Sequence, residues 1–530
     1  MEIRRTGTDW HKGRTAPCSV PRILLAAPAS GSGKTTVCCG LLELFRRRGM
    51  SLVSFKCGPD YIDPAFHSHV LGIRGYNLDS FFLDEKEVDV LFRQKAAGAD
   101  LAVMEGVMGY YDGVAGTSTR ASTYHIAAIT DTPVILVVDG KKSSLSLAAL
   151  VKGFLEYRPD SRIGGVILNR TGPAMEQRLR PYLEELGVAC LGAVPECGEA
   201  RLESRHLGLV LPWEQNRLKE QTGRLADRLE GCLDVEGILE LAGMAAGEDR
   251  EGGSSGKGAG SSREAAGRII SSRKGAGEGG SSGKEDRRVI SGGRGAGKAV
   301  GSRNRRMAVA MDEAFCFYYQ ENLEFLQDHG WEPVPFSPVH DQGLPEHVDG
   351  ILLGGGYPEC YARELSENQA MLKAVRAAAA GGVKILAECG GFLYLHAGLE
   401  GMDGKRYPMA GLIPAEGFRA EKQTRFGYVT LEQKGTGQGN PARENGAVTE
   451  KAAPEGKAQV SGKGLPRQVI RGHEFHYWDS TAPGQAMRAA KPLTGRTWPC
   501  MYVTRQMIAG FPHLYYPSGA SWILDFLDGS

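Results

Sequence analysis

The sequence has no long hydrophobic run, almost no net charge and no closely paired cysteines. No apolar run approaches the roughly 20 residues that span a bilayer, and the N-terminal residues contain no apolar segment of the signal-peptide kind. The formal net charge of +1 gives no reason to expect nucleic acid or a membrane as partner. The eleven cysteines are scattered, without a C-x-x-C pair or metal-ligand spacing. We therefore expect a cytoplasmic protein whose cysteines are mostly reduced.

Composition divides the chain into two structured parts. At 530 residues the chain is too long for a single core. We expect residues 1–20 to be a disordered extension, and residues 21–244 and 307–530 to be two α/β domains. Residues 245–306 consist mostly of Gly, Ser, Lys, Arg and Glu, a composition that predicts a flexible, disordered linker. A similar polar stretch at 434–466 predicts a surface insert within the second domain.

Short apolar strands alternate with helical segments in the first domain. After the strand at Ile23–Ala27, the candidate strands are Ser51–Phe55, Leu101–Met104, Val134–Val138 and Gly165–Leu168. The candidate helices are Val37–Phe45, Glu87–Lys95, Ser143–Tyr157 and Met175–Leu186. This alternation predicts a parallel sheet covered by helices on both faces. Such sheets bind their ligands at the carboxyl ends of the strands.

A glycine-rich turn follows the first of these strands. The segment Ala29–Thr36 reads ASGSGKTT and separates the strand from the first predicted helix. Small residues let backbone N–H groups surround phosphate oxygens, and the helix N-terminus adds partial positive charge. This context predicts an ATP-binding P-loop, although Pro28 stands where the first glycine of the motif is expected. The predicted nucleotide-binding residues of this loop are Gly31, Ser32, Gly33, Lys34, Thr35 and Thr36.

Polar residues also end three other strands of the first domain. Lys56 is expected to neutralise phosphate charge, and it opens the polar segment KCGPDYIDP, which contains Asp60. Glu105 ends the strand that precedes GVMGYYDG. Because Mg²⁺ prefers oxygen ligands, Thr35, Asp60 and Glu105 are the predicted metal ligands. Asn169 ends another strand and is a candidate for reading the nucleotide base, although Asn also caps helices.

The second domain contains a candidate nucleophile. Cys389 lies where an apolar strand meets Gly390, Gly391 and a new helix. Such a strand-to-helix elbow exposes a nucleophile, and a helix N-terminus lowers the pKa of a thiol. The glycines of Gly354–Gly356 could donate backbone N–H groups to an oxyanion. The candidates for the general base are His473, His476 and His513. The other ten cysteines lack this setting, and we interpret them as structural.

A nucleotide-binding half joined to a cysteine hydrolase-like half indicates one combined chemistry. The second half would release ammonia from glutamine, and the first would activate a carboxylate as an acyl phosphate for that ammonia. A partitioning-type P-loop ATPase is an alternative from a different class, but it leaves the Cys389 elbow unexplained. A binding protein with an inactive glutaminase half is a third hypothesis.

Taken together, these motifs resemble the cobyrinate a,c-diamide synthase family of vitamin B12 biosynthesis. The resemblance covers nearly all of the structured chain and rests on the segments Lys56–Pro64, Glu105–Gly113, Leu202–Leu209, Gly354–Glu359 and Glu388–Gly391. It implies a dethiobiotin-synthetase-like P-loop NTPase domain with a parallel sheet, which binds ATP, Mg²⁺ and a corrinoid. It further implies a C-terminal class I glutamine amidotransferase domain with a flavodoxin-like α/β fold. The a and c carboxylates of cobyrinate would be amidated in turn, and a homodimer is expected.

The resemblance also implies roles for single residues. Cys389 matches the nucleophile and His513 the histidine that raises its reactivity, with His473 ranked second. Asp60, Tyr61 and Glu105 match positions near the nucleotide, the metal or the corrinoid. Pro512 departs from the family pattern, and its effect on His513 could weaken the glutaminase and leave ammonia as the nitrogen source. Cobyric acid synthase activity, and hydrogenobyrinate or nickel sirohydrochlorin as substrate, stay open as alternatives.

Overall fold

The computed structural model describes residues 20–196, 204–205, 208–209, 215–244, 305–422, 425–433 and 469–529. The predicted N-terminal extension, the predicted linker and the predicted insert lie outside these residues, except for a residue or two at their edges. Of the Leu202–Leu209 motif, the structure describes two short paired strands. We refer to residues 20–244 as the N-terminal half and to residues 305–529 as the C-terminal half.

The N-terminal half contains the parallel sheet that the strand pattern predicts. Its seven strands lie in the order β3-β2-β4-β1-β5-β6-β7, and every neighbouring pair is parallel. The strands of this half are β1 Arg22–Ala26, β2 Leu52–Cys57, β3 Arg74–Leu78, β4 Leu101–Glu105, β5 Val134–Asp139, β6 Ile163–Asn169, β7 Ala189–Val194, β8 Ser204–Arg205 and β9 Gly208–Leu209. The helices are α1 Lys34–Arg47, α2 Ile62–His69, α3 Glu85–Ala96, α4 Thr123–Thr130, α5 Ser146–Glu156, α6 Pro173–Glu185, α7 Gln215–Glu230 and α8 Val235–Leu241.

Burial explains why these strands read as continuous apolar runs. The sequence LLA at the end of β1 is fully buried, as is LAVM in β4 and VILVV in β5. Because helices cover both faces of a parallel sheet, neither side of a central strand meets water. The predicted helices and strands of this half are all present, with shifted ends. The elements that were not predicted are the strands β3, β7, β8 and β9 and the helices α2, α4, α7 and α8. The sequence of β3, RGYNL, is too polar for a buried central strand, and β3 lies at the edge of the sheet.

The C-terminal half is built around a second sheet. Its six strands lie in the order β12-β10-β13-β15-β25-β24, all parallel except the edge strand β24. The strands of this half are β10 Arg305–Ala310, β11 Phe315–Phe317, β12 Trp331–Phe336, β13 Gly350–Leu353, β14 Gly355–Gly356, β15 Lys384–Glu388, β16 His396–Glu400, β17 Arg406–Pro408, β18 Ile413–Arg419, β19 Arg425–Gln433, β20 Val469–His476, β21 Trp478–Ser480, β22 Met487–Ala490, β23 Thr497–Cys500, β24 Tyr502–Val503, β25 Met507–Gly510 and β26 His513–Leu514. The helices are α9 Gln320–Asp328, α10 Ala362–Glu367, α11 Gln369–Ala380, α12 Gly390–Tyr394 and α13 Ala520–Asp528.

Three smaller sheets complete the C-terminal half, with strand orders β11-β14, β17-β16-β18-β21 and β23-β22-β19-β20-β26. The five-stranded sheet matters for function because it carries all three candidate bases, His473 and His476 in β20 and His513 in β26. In the antiparallel pair of β20 and β26, His473 lies directly opposite His513. Two side chains that face each other across antiparallel strands share one face of the sheet.

The two halves pack directly against each other within one compact unit. The Tyr428 hydroxyl donates to Asp79 Oδ2 at 2.9 Å, and the Tyr76 hydroxyl donates to Glu324 Oε1 at 3.0 Å. The backbone N–H of Asn77 donates to the carboxylate of Glu321. Buried aromatic rings fill the space between these bonds. The described helices include none that is long and apolar enough to cross a membrane.

Candidate active sites

The predicted P-loop lies between β1 and α1, as the motif requires. Gly31 and Gly33 have φ angles of 79° and 96°, which favour glycine. A Cβ atom on Gly33 would lie 2.1 Å from the Asn169 side-chain nitrogen. Asn169 Nδ2 donates to the Ser32 carbonyl at 2.8 Å. The structure therefore places Asn169 against the P-loop backbone, where it supports the conformation of the loop.

The first residues of α1 point into the site. Lys34 Nζ donates to the Met108 carbonyl at 2.7 Å, and Thr35 Oγ1 donates to Glu105 Oε1 at 2.5 Å. Burial, with the nearby Lys56 ammonium, lowers the pKa of Lys34 to about 8. An additional anion beside Lys34 would favour its charged form. Among the described residues, the hydrogen-bond acceptor of the buried Lys34 is thus a backbone carbonyl and not a carboxylate, which suits Lys34 to a phosphate.

Strand register brings Lys56 and Glu105 together with the P-loop strand. Glu105 is paired with Leu25 of β1 on one side and with Lys56 of β2 on the other. Lys56 Nζ lies 2.8 Å from Glu105 Oε1 and 2.5 Å from Asp63 Oδ2. Burial alone would lower the pKa of Lys56, but Asp63 and Glu105 raise it well above its ordinary value. Lys56 therefore stays charged between two buried carboxylates.

The oxygen donors at this position fit a divalent cation. Glu105 is fully buried, and its Oε2 atom has no hydrogen-bond partner among the described residues. Burial, with the neighbouring Asp63, raises the pKa of Glu105 to about 7. A nearby cation would stabilise the ionised form and use the unpaired oxygen. Carboxylate and hydroxyl oxygens are the ligands that Mg²⁺ prefers, so Thr35 and Glu105 could hold it.

The structure places the predicted ligand Asp60 differently from Thr35 and Glu105. Asp60 Oδ1 accepts hydrogen bonds from the backbone N–H groups of Ile62 and Asp63, at 2.9 and 3.1 Å. It therefore shapes the start of α2. Burial, with the adjacent Asp63, raises the pKa of Asp60 to about 6. Asp63 itself contacts Lys56 and was not predicted, although its place in the first turn after the polar loop was a usable signal.

Tyr61 lies at the boundary between the halves. Its hydroxyl donates to the Tyr319 hydroxyl at 2.7 Å, and its ring centroid is 4.8 Å from that of His513. The ring also stacks on Phe317 with centroids 5.5 Å apart. The structure thus brings this residue of the nucleotide-binding half onto a candidate base of the other half.

Cys389 lies at the predicted elbow between β15 and α12. Its backbone adopts φ 48° and ψ −101°, a conformation that L-residues rarely adopt. Contrary to the exposed thiol of lowered pKa that the elbow predicts, the residue is 7% exposed, and burial raises the pKa of its thiol. The N–H of Gly391 donates to the Gly354 carbonyl at 2.9 Å. A Cβ atom on Gly390 would lie 3.1 Å from the Gly356 nitrogen. The glycine segment Gly354–Gly356 therefore lies against the elbow, as expected for an oxyanion site.

Among the three candidate histidines, His513 lies beside the glycine segment Gly354–Gly356 and beside the residue that precedes Cys389. A Cβ atom on Gly355 would lie 2.2 Å from the His513 ring. His513 Nδ1 lies 3.9 Å from Oε2 of Glu388, the residue before Cys389. Burial, with the nearby His476, lowers the pKa of His513 to about 3, so the ring is neutral at pH 7. A neutral imidazole can accept a proton from a thiol.

The other two histidines have different surroundings. His473 is buried opposite His513 and contacts the rings of Phe426 and Tyr428. His476 Nδ1 bonds to the Trp478 carbonyl at 2.6 Å, and its ring stacks on Phe511 with centroids 4.0 Å apart. Pro512 precedes β26, so it removes no N–H from that strand, and His513 keeps its register with β20.

Glu388 is a functional candidate that the sequence argument missed. Burial raises its pKa to about 8, and its carboxylate accepts hydrogen bonds from Tyr516 and from the Leu514 backbone. It is the last residue of β15 and lies beside His513. A carboxylate next to a base can orient the imidazole ring. Its place directly before the predicted nucleophile was the available signal.

An open groove lies beside the segment Glu105–Gly113. Tyr111, Phe154 and Tyr157 line it together with the carboxylate of Asp112 and the guanidinium of Arg158. The Tyr111 ring stacks on Phe154 with centroids 5.5 Å apart. Aromatic walls with one acidic and one basic side chain suit a large, flat molecule that carries several polar groups.

Comparison with known proteins agrees with both halves of this structure. Residues 23–210 match the family described as the CobQ/CobB/MinD/ParA nucleotide binding domain. Residues 306–516 match the CobB/CobQ-like glutamine amidotransferase domain. These two domains confirm the predicted fold class.

Curated relatives extend along almost the whole chain. The cobyrinate a,c-diamide synthase of Caldanaerobacter subterraneus subsp. tengcongensis is 33% identical over 95% of this chain and 97% of its own length. The corresponding enzyme of Salmonella typhimurium is 35% identical over 93% and 94%. The hydrogenobyrinate a,c-diamide synthase of Streptomyces coelicolor is 38% identical over 89% and 90%. A nucleotide-binding domain and a glutamine amidotransferase domain in one chain make a carbon–nitrogen ligase that uses glutamine. The chain belongs to the a,c-diamide synthase family of cobalamin biosynthesis.

Proposed function

We propose that this chain amidates the a and c carboxylates of cobyrinate, using ATP and glutamine or ammonia, and yields cobyrinate a,c-diamide. The observation that carries the proposal is the presence of the P-loop cluster and the Cys389 elbow in one compact unit. The substrate follows from the relatives, which are cobyrinate a,c-diamide synthases. Because the reaction needs ATP and a reduced thiol, we assign it to the cytoplasm. A homodimer stays a prediction, which sedimentation velocity would test.

In the N-terminal half, the substrate carboxylate would attack the γ-phosphorus of ATP. This forms a bond between the carboxylate oxygen and phosphorus, breaks the bond to the β-phosphate and releases ADP. Lys34 and the P-loop N–H groups would bind the phosphate oxygens and neutralise the charge that develops there. Lys56 would keep the Asp63 carboxylate ionised and hold the Glu105 carboxylate in place.

We assign Mg²⁺ to the oxygens of Thr35 and Glu105, with Asp60 as a further candidate from the motif. When bound, the ion would neutralise phosphate charge and orient the transferred group. The unpaired Glu105 Oε2 atom supports this assignment.

In the C-terminal half, the Cys389 thiol would attack the side-chain carbonyl of glutamine. Its proton would pass to His513 and then to the departing nitrogen, so that ammonia leaves and a thioester remains. Backbone N–H groups of Gly355 and Gly356 would stabilise the oxyanion, since the N–H of Gly354 already donates to the Tyr318 hydroxyl at 2.9 Å. Water then hydrolyses the thioester to glutamate. Ammonia attacks the acyl phosphate in the other half, which forms the amide and releases phosphate.

The groove beside Glu105–Gly113 is the proposed position of the corrinoid. Its aromatic residues Tyr111, Phe154 and Tyr157 would stack on the flat macrocycle. Since the groove is lined by Asp112, it adjoins the segment whose Met108 carbonyl holds Lys34. A carboxylate at the macrocycle edge would thus lie close to the transferred phosphate.

A second candidate substrate is hydrogenobyrinate, because a relative that carries this name is 38% identical to the chain. Cobyric acid synthase activity and a nickel sirohydrochlorin substrate are further alternatives within the same class. A partitioning-type ATPase is the alternative from another class, and the matched nucleotide-binding family includes MinD and ParA. The Cys389 elbow and its histidine favour the amidating ligase over that ATPase.

Product analysis tests these alternatives directly. Purified full-length protein is incubated with ATP, Mg²⁺, glutamine and either cobyrinate or hydrogenobyrinate, and product mass is followed over time. Two successive amidations of cobyrinate are expected, and preferential turnover of the metal-free ring would favour the second candidate. Phosphate release without any amide product would contradict a ligase and favour an ATPase.

Removal of the thiol separates the two half-reactions. The variant Cys389→Ala is expected to lose glutamine-dependent amidation by a factor of about 10³ or more, since no other group can form the thioester. Ammonia-dependent amidation should continue at the wild-type rate, as measured by product mass with ammonium chloride. Cys360→Ala, which removes an exposed thiol elsewhere in the C-terminal half, is the matched control. Equal loss of both activities in Cys389→Ala would argue against a separate glutaminase site.

A further inference from the structure

The loop that leads into α2 contacts both active sites. At one end, Lys56 contacts Glu105 in the nucleotide-binding cluster, and Asp63 contacts Lys56. Between these two residues lies Tyr61, immediately before the first residue of α2. Its ring lies 4.8 Å from the ring of His513, measured between centroids. One short segment therefore joins the phosphate site of one half to the candidate base of the other.

The C-terminal half holds Tyr61 firmly in this position. The Tyr61 hydroxyl donates to Tyr319 at 2.7 Å, and the two rings are 4.6 Å apart. Tyr61 is 9% exposed and Tyr319 is 1% exposed, so water cannot easily replace this bond. His513 is packed between residues of both halves, since it contacts Gly355 of its own half and Tyr61 of the other.

The backbone of the loop is also fixed at both of its polar turns. Asn77 Nδ2 donates to the carbonyls of Gly58 and Asp60, at 2.9 and 2.7 Å. Asp60 in turn accepts the N–H groups of Ile62 and Asp63. Because these bonds fix the loop backbone, we expect a shift at one end of the loop to reach the other end. A displacement of Lys56 or Asp63 on phosphate binding would therefore also displace the Tyr61 ring.

We propose that Tyr61 is a positioning residue for His513, through which glutamine hydrolysis depends on occupancy of the nucleotide site. The inference rests on the proposed function and adds to it the contact by which one half controls the other. Tyr61 does not react with glutamine. It sets the place of the imidazole ring relative to the Cys389 elbow, and Tyr319 sets the place of Tyr61.

The variant Tyr319→Phe tests this contact, because it removes one hydroxyl and keeps the ring. With ATP, Mg²⁺ and cobyrinate present, its kcat for glutamine hydrolysis should fall roughly threefold to tenfold, the factor expected for one lost buried hydrogen bond. The KM for glutamine and the rate of ammonia-dependent amidation should stay at wild-type values. A purely structural defect would instead lower both amidation rates together.

Tyr76→Phe is the matched control. It removes a tyrosine hydroxyl that donates to Glu324 across the same interface at 3.0 Å, away from His513. Its glutaminase kcat should equal that of the wild type. A loss in Tyr76→Phe as large as in Tyr319→Phe would overturn the inference, because any weakening of the interface would then suffice.

A measurement on the wild-type protein keeps the inference testable if Tyr319→Phe does not fold. Addition of ATP and Mg²⁺ should change the wild-type glutaminase kcat at least threefold, and an unchanged rate would overturn the coupling. The proposed function fails in a different way, since the wild-type protein would then form no amide from cobyrinate even with ammonia. If the protein forms the amide, and the wild type and Tyr319→Phe hydrolyse glutamine equally fast, only the coupling is refuted.

Discussion

Glu321 should make the contact between the two halves depend on pH. This residue of α9 is 4% exposed, and one of its carboxylate oxygens accepts the N–H of Asn77. The other oxygen, Oε2, has no hydrogen-bond partner among the described residues. Burial raises the pKa of Glu321 from 4.5 to about 7. At pH 8 the folded protein therefore carries a buried, poorly solvated negative charge at Glu321. At pH 5 the same carboxyl group is neutral.

The size of the effect follows from the two pKa values. Their difference, 7 − 4.5 = 2.5, corresponds to about 3 kcal/mol at roughly 1.4 kcal/mol per unit. Between these values the folded state binds more protons than the unfolded state. The contribution of Glu321 to the free energy of unfolding is thus most favourable below pH 4.5. This contribution is lost as the pH rises through 7.

The variant Glu321→Gln removes the charge and keeps an oxygen that can accept the Asn77 N–H. It should stabilise the protein by up to about 3 kcal/mol at pH 8 and by little at pH 5. Scanning calorimetry of wild type and variant from pH 5 to pH 8, at constant ionic strength, measures the difference in Tm. An increase on the order of 5 °C is expected at pH 8. Comparison at each pH cancels the titration of all other groups.

Glu324→Gln is the control for this prediction. Glu324 lies on the same helix and contacts Lys95 and Tyr76 across the interface. Loss of this partly exposed ion pair should lower stability by roughly 0–1 kcal/mol. A Tm difference between wild type and Glu321→Gln that stays constant from pH 5 to pH 8 would refute the argument. So would a variant that is less stable at every pH.

Two further substitutions test the active sites. Gly355→Ala should lower glutamine-dependent amidation about tenfold or more and leave ammonia-dependent amidation intact, since its Cβ would lie 2.2 Å from the His513 ring. Gly343→Ala, whose Cβ would meet no atom within 4 Å, should leave both product rates unchanged, and an equal loss in both variants would contradict the prediction. Lys56→Met should abolish amidation from either nitrogen source, because it leaves Glu105 without its cation. Retention of ammonia-dependent product formation in this variant would refute the assigned role.

Local sequence context was enough to predict the parts of each site that depend on consecutive residues. The P-loop follows a buried strand and opens a helix, and Cys389 follows another buried strand and opens another helix. In both cases the backbone turn and the reactive residue lie within a few positions, so the motif carries its own geometry. Glu105 and Lys56 were predicted for the same reason, because each lies at the carboxyl end of a strand of a parallel sheet. Their functional roles stay predictions.

Contacts between distant residues were not predictable in the same way. No spacing in the sequence indicates that Asp63 binds Lys56, that His473 lies opposite His513, or that Tyr61 rests on that ring. Another such contact is the pairing of Phe317 with Gly355 in a short strand, so that α9 begins only at Gln320. That pairing also forms part of the wall beside Cys389.

The sequence by itself determined two α/β domains, a glycine-rich turn between strand and helix, and a cysteine at a strand-to-helix elbow, since local patterns of apolar and small residues specify such features. The tertiary structure alone decided that His513 lies beside Gly355 and Glu388 and that Tyr61 of the other half rests on its ring. Strand register and packing of the two halves set those distances, and both depend on residues more than a hundred positions apart in the chain.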